Sequence, residues 1–570
     1  MHNLVDKSAK SKIGHFLLLG STVMVTSFVC LPANSASWAD SRLFPPTPSP
    51  KTGGNPDLTS QLAQATSEPL IPVKKIAIVG STVFSDEQLQ VLVAPLLNRS
   101  VTLVELQELA NKVTKLYQEN NYITSRAVLP ADQDINDGEI VIQVIEGKLE
   151  RIDIKKDESA RLSEDYIRDR IAPAVTVPLN FARIEEELQL LRNDPLIAEI
   201  KANLSAGEGG GSSILEVTVK EAKLLNLGLS LDNYGNSATG IYRFGVTPQL
   251  LNLSGIGDRL AANYTRSGSA DAFSFDYQLP LNPKGGTLGL SFAFDRNPAK
   301  ITAINSPATI DIRADTQIYE LNYRQPLVRT LREEFALSFG LAIEQSSFFV
   351  EGIPFNLQTG NSNDGGSQAT ILQFGQDFIS RDPGGAWAFR SLFNFGIDAL
   401  GATVRNDAPD GRFFAWNGQV LRVQRLGSDR DTLALLRLSA QLTGDSLLPP
   451  NRFSVGGPQS VRGYRQNQIT GDSGIQGSLE FQFPVVRDNE GTSILKILPF
   501  IEAGTVWNAN GETSGLSQTI VGFGTGLLWQ PSRNFTIRID YGIPLIKINN
   551  SSSPNNLQDS GLYFSLSTNL

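Results

Sequence analysis

From Lys223 to Leu570 the chain alternates apolar and polar side chains with a period of two, in one segment after another. In Phe335 to Ile343 the odd positions are Phe335, Leu337, Phe339, Leu341 and Ile343, and the even ones are Ala336, Ser338, Gly340 and Ala342. Leu288, Leu290, Phe292 and Phe294 alternate with Gly289, Ser291, Ala293 and Asp295, and Phe535, Ile537, Ile539 and Tyr541 alternate with Thr536, Arg538 and Asp540. Period two is the repeat of a β-strand with two unlike faces. A soluble sandwich alternates too, but here the second face is Gly, Ser, Asn, Asp and Arg over 348 residues. A barrel in lipid with a wet lumen requires one apolar face, one polar face and a closed sheet. At about 10 residues per strand plus connections, roughly 14 to 18 strands fit. Leu562, Phe564, Leu566 and Leu570 end the chain as one more such strand, as in outer-membrane barrels, with Leu570 where an aromatic residue is usual.

The rare residues bound the chemistry. His2, His15, Cys30, Met1 and Met24 are all the His, Cys and Met of the 570 residues. They lie in a stretch with the grammar of a secretory signal: Lys7, Lys10 and Lys12, then apolar Phe16 to Leu31, then small-residue-rich Ala33 to Ala39. Cleavage after Ala39 is expected, and a membrane anchor is the other reading. Removing three Lys and one Asp takes the formal charge from −9 to −11. The expected mature chain then has no His and no Cys. That excludes His-containing triads, thiol nucleophiles, zinc sites of His or thiolate, and disulfides. With 19% charged residues of acidic balance, it is not a general nucleic-acid binder.

Residues 40–72 are rich in Pro, Ser and Thr and read as a linker, with at most a short helix near Leu58 to Thr66. Residues 73–222 read as one α+β unit used twice, with a repeat of about 75 residues and the order β-α-α-β-β. The first (73–147) has strand Val73 to Val79, helices Asp86 to Leu97 and Leu103 to Glu119, and strands Ala127 to Pro130 and Glu139 to Ile145. The second (148–222) has strand Lys148 to Ile154, helices Ser163 to Ile171 and Ala182 to Arg192, and strands Ile197 to Leu204 and Ser213 to Val219. Gly207 to Gly211 is a turn and not a phosphate loop, since no Lys-Ser/Thr follows. Asp132, Asp134, Asn136 and Gly138 imitate a calcium loop, but Gln143 stands where the bidentate Glu belongs, so a hairpin connection is expected. No carboxylate pair supports an enzymatic assignment. No catalytic residue, cofactor site or metal site is expected.

Longer segments carry a resemblance. Leu129-Pro130, Asp137-Gly138-Glu139-Ile140-Val141-Ile142 and Val144-Ile145-Glu146-Gly147 resemble the POTRA domain of two-partner secretion transporters, the TpsB family of haemolysin and filamentous-haemagglutinin secretion proteins. Asp232-Asn233-Tyr234-Gly235, Thr239-Gly240, Arg243 and Asn252 to Asp258 are similar to that family's first barrel hairpin. Phe453 to Gly457 followed by Val461-Arg462-Gly463-Tyr464 resembles the signature of its long sixth loop, here near 445–475. Phe500-Ile501-Glu502-Ala503-Gly504 resembles the partner motif on a barrel strand, with Phe500, Glu502 and Gly504 at its fixed places and Glu502 where the family usually has Asp.

The resemblance implies a mostly β fold: two periplasmic POTRA domains, then a barrel of sixteen antiparallel strands over 223–570. It implies an outer-membrane pore that exports a large unfolded TpsA-type exoprotein without nucleotide. Its other partners would be outer-membrane lipid and the barrel assembly machinery that inserts it. An arginine presents a planar donor fork to a carboxylate, so Arg462 and Glu502 form the expected latch pair. The alternatives are a barrel assembly factor, a solute porin, which would lack POTRA-like domains, and an outer-membrane hydrolase, which the missing His disfavours.

Overall fold

In the computed structural model the described residues are 70–131, 133, 137–302, 309–355, 366–405, 409–429, 431–509, 517–548 and 555–570. The signal, residues 40–69 of the linker with its short helix, and Asp132, Asp134 and Asn136 lie outside them; Ile71 and Pro72, read as the end of the linker, instead begin a strand that pairs with Arg99–Val101. Two compact units contain the rest, one ending at Ala222 and one beginning at Lys223.

The first unit is a repeat. Its N-terminal half places strand Lys75–Val79 parallel to central strand Glu139–Ile145, with Arg126–Val128 antiparallel on the other side. The C-terminal half repeats this with Lys148–Lys156 parallel to Ser212–Glu221 and Ile197–Ala206 antiparallel. Two helices cover each sheet: Asp86–Val93 and Leu103–Glu119, then Glu164–Ile171 and Phe181–Arg192. Leu106, Leu109, Val113 and Tyr117 recur at helical spacing and pack on Ile76, Ile140, Ile142 and Val144. Ser85 with Gln88, and Thr102 with Glu105, close reciprocal capping boxes that satisfy the first free N–H groups of both helices. One detail differs from the sequence reading. The first strand is split at Lys74, and its outer piece, Ile71–Val73, pairs with Arg99–Val101 in a separate two-stranded ladder.

The second unit is a closed barrel of sixteen antiparallel strands, from Leu225–Asp232 to Leu562–Asn569, which pair with each other to complete the ring. One strand is broken. Its halves, Ser493–Ile497 and Phe500–Trp507, both lie between Ser473–Arg487 and Gln518–Ser532. The break is at Leu498-Pro499, where proline has no N–H to give the ladder. Alternation sets the two faces. Phe339 is 55% exposed, while its neighbours Ser338 and Ala342 are buried on the lumen side. Leu290, Phe395, Leu527 and Ile539 are likewise turned outward, as lipid requires. No helix among the described residues is long and apolar enough to cross a membrane; the strands do the crossing.

Short turns close one end of the barrel, as between Asp382 and Gly385 and between Ser532 and Phe535. At the other end most connections are longer, the two-residue turn between Ser267 and Ala270 excepted. The longest runs from Thr443 to Ser473, with a 3₁₀ turn at Pro449–Asn451 and a small ladder of Phe453–Val455 on Ile469–Gly471.

Candidate functional site

The tip of that long loop folds into the lumen. Arg462 is 2% exposed, and everything around its guanidinium comes from lumen-facing wall positions. Nε donates to Glu502 Oε1 and Oε2 at 3.0 and 3.1 Å, and the backbone N–H of Arg462 donates to the same carboxylate at 2.7 Å. Nη1 reaches Glu480 Oε2 at 3.0 Å and Asp540 Oδ1 at 2.8 Å. The guanidinium carbon lies 3.3 Å from the centroid of the Phe500 ring, a cation–π contact. Ser478 Oγ donates to Glu502 Oε1 at 3.0 Å. Arg538 completes the cluster, bonding Glu480 at 2.6 Å and Asp540 at 2.7 and 2.9 Å.

The sheet register puts these groups together. Ser478 faces Glu502 across one ladder, and Glu480 faces Phe500. Glu502 faces Gly522, and Gly526 faces Asp540, across the next two. The two glycines opposite the tip leave room for its backbone. A Cβ at Gly522 would lie 2.1 Å from the Arg462 carbonyl oxygen, and one at Gly542 would lie 2.5 Å from Gly463 N. Gly463 itself has φ +101°, which side chains resist.

The rest of the motif is fastened to the backbone of the wall. Gly463 N–H donates to Tyr563 Oη at 2.9 Å, and that hydroxyl donates to the Tyr464 carbonyl at 2.6 Å. The Tyr464 hydroxyl sits 2.8 Å from the carbonyls of both Val521 and Ile546 and accepts from their N–H groups. Val461 and Tyr464 are buried with Phe453, Val455, Val506 and Ile520 in an apolar cluster. Gly504 lies under Val455, where a Cβ would meet Cγ1 at 2.5 Å.

All seven motif residues named from sequence therefore meet in one place. Glu480, Asp540, Arg538 and Tyr563 were not singled out. The available signal was a charged or large polar side chain at a lumen position of an alternating strand. One buried guanidinium and one half-buried one, set against three buried carboxylates, hold a loop. Among the described residues no group of His, Cys, Asp or Glu has the arrangement of a metal site.

The haemolysin secretion/activation protein profile (ShlB/FhaC/HecB) matches residues 211–528, more than half of the chain. The ShlB-type POTRA profile matches 71–147. The chain belongs to the ShlB/FhaC/HecB family. It is an outer-membrane secretion transporter, with N-terminal POTRA structure of the kind that is periplasmic in this family. It is 27% identical over 497 residues to the outer membrane transporter CdiB of Escherichia coli, covering 83% of this chain and 79% of that protein. It is 24% identical over 445 residues to the heme/hemopexin transporter protein HuxB of Haemophilus influenzae, covering 76% and 75%. The solved structure of Escherichia coli CdiB superposes with a TM-score of 0.67 at 21% identity, over 90% of this chain and 93% of that one. BamA of Haemophilus ducreyi superposes at 0.53 with 14% identity, a likeness of fold alone.

Proposed function

We propose that this family member exports one large partner protein in unfolded form, and that the Arg462 cluster is the latch on its pore. The observation that carries the proposal is the docked loop tip. A buried arginine facing three carboxylates is a closed state that costs little while all partners are present and much when one is lost. Charge-assisted hydrogen bonds contribute about 1.5–3 kcal/mol each, whereas an exposed pair contributes about 0–1 kcal/mol.

The domain reading fits this. Each sheet of the 70–222 unit has open edges at Lys75–Val79 and Lys148–Lys156, and an extended client adds to such an edge through backbone hydrogen bonds. That recognition needs an unfolded chain and little sequence. A lumen lined by Gly, Ser, Asn and Gln gives an extended chain few places to stick. No nucleotide and no catalytic step is needed. Folding of the client outside the cell supplies direction, and membrane lipid and the barrel assembly machinery are partners only in the protein's own insertion. The relatives named as heme/hemopexin and hemolysin transporters support a client of the secreted exoprotein class.

The test compares secreted and outer-membrane proteins with and without the gene. Loss of one large protein from the medium is expected. A joint fall of many barrel proteins would instead make the chain an assembly factor, the reading that the BamA-like fold keeps open. Restoring the gene as Arg462→Ala is expected to restore the barrel and not the secreted protein.

A further inference from the structure

The motif Asp232-Asn233-Tyr234-Gly235 stands apart from the latch. It lies where the barrel closes on itself, and its place suggests its use. The closing ladder has five paired positions, from Gly228↔Asn569 to Asp232↔Ser565, against sixteen in the ladder between Thr287–Thr302 and Thr309–Arg329. Beyond Asp232, side chains continue the pairing. The Asn233 carboxamide donates to the Leu562 carbonyl at 2.9 Å and accepts from Phe564 N–H at 2.8 Å, as a peptide unit would. It thereby brackets Tyr563, whose hydroxyl holds Gly463 and Tyr464 of the sixth loop.

A second carboxamide closes the circuit. Gln558 Nε2 donates to the carbonyls of Asn233 and Gly235 at 2.7 and 2.8 Å, and Oε1 accepts from Gln466 N–H of the sixth loop at 3.0 Å. Asn233 and Gln558 are both fully buried. Next to them Arg465 of the same loop holds Asp559 with two bonds, at 2.6 and 2.7 Å. Asp232 and Arg243 lock the first hairpin with two more, at 2.7 and 3.0 Å. Buried amides of this kind are costly unless every donor and acceptor is met. Here the set is complete only when the first strand, the last strand and the docked loop are all in place.

We propose that Asn233 and Gln558 form a clasp that closes the barrel seam at its loop end, and that the clasp is complete only while the sixth loop is docked. Loop release and seam strength then become one equilibrium. The coupling rests on the latch reading; the clasp itself does not.

The test uses the full chain in outer membranes and reads the temperature at which the compact, faster-migrating band is lost on gels run after graded heating. Gln558→Leu should lower it by about 5 °C. Gln558→Glu, which keeps the acceptor for Gln466 and loses both donors, should lower it at least as much. A disulfide across the seam, Ser230→Cys with Ser567→Cys, register partners in a chain whose only cysteine is Cys30, should restore most of the loss under oxidising conditions and none after reduction. If Gln558→Leu yields no barrel, the same disulfide should bring assembly back. Arg462→Ala should lower the temperature too, and adding Gln558→Leu to it should give clearly less than the sum. An unchanged temperature, or a loss that the disulfide leaves in place, overturns the clasp. Strict additivity with Arg462→Ala overturns the coupling alone. None of these readouts uses secretion, so failure of the latch reading, seen as normal export by Arg462→Ala, is recorded separately.

Discussion

The two units solve the same packing problem with opposite faces. Residues 70–222 keep Leu106, Val113, Ile140 and Ile142 inside and leave their ion pairs, such as Lys75–Glu139 and Lys115–Glu119, on the surface. The barrel turns Phe339, Leu527 and Ile539 outward and buries Arg462, Glu480, Glu502 and Asp540. One rule covers both: apolar surface goes where water is absent, and a charge goes inside only if its partners go with it. The same kind of contact therefore has different weight in the two units. An ion pair is a minor matter in the first and a fastening in the second.

The largest expected effect tests the buried side of that contrast. Arg462→Ala leaves Glu480, Glu502 and Asp540 facing one another with Arg538 and the neighbouring Arg437 to balance them, and loss of one partner from a buried charge cluster costs about 3–5 kcal/mol. The barrel's ladders do not depend on Arg462, so the folded band on a gel should persist while the client disappears from the medium. Wild-type export by this variant would break the latch. Arg462→Lys, which keeps the charge and loses the fork, should resemble Arg462→Ala more than wild type. Docking also depends on space. Gly522→Ala sets a methyl against the Arg462 carbonyl and should cost about 1–3 kcal/mol of loop docking, read as new protease cleavage within 456–468.

A substitution of comparable size in the first unit should act through a different term. Ile142 is fully buried against two helices, and Ile142→Ala removes apolar contact without touching a charge. A loss of about 2–5 kcal/mol is expected, seen as an earlier urea transition of the helical circular-dichroism signal. The barrel's heat-induced shift should stay at its wild-type temperature. A joint change in both readouts would break the separation into two units.

The sequence carried the alternating barrel because its period is local, and the helix faces and caps of the first unit for the same reason. The register between strands is not local. Glu480, Asp540 and Arg538 are spread over 61 residues, and only the stagger of the sheet brings them to Arg462. The split at Lys74 escaped as well. Val73 and Lys75 share an extended backbone, and what separates them is a tertiary choice of partner, Arg99 against Glu139. Asn233 was visible as part of a motif, but its work as a peptide substitute depends on Phe564, more than 300 residues away.

The smallest effects belong to the exposed charges of the first unit. Lys115→Ala removes a helix-surface pair with Glu119 and should change stability by about 0.5 kcal/mol or less. Glu105 adds a pH dependence whose sign is fixed. The Arg99 side chain, and then the Thr102 backbone N–H, hold its carboxyl below the ordinary value of 4.5. A depressed folded pKa gives stability that is present above the unfolded value and is lost as pH falls through the folded one. Glu105→Gln keeps a capping acceptor and removes the charge. The difference between it and wild type in the urea transition should therefore be present at neutral pH and vanish on acidification below the usual glutamate range. A difference that survives in acid would mean that Glu105 acts by shape, and that even the surface charges of this unit are held for packing.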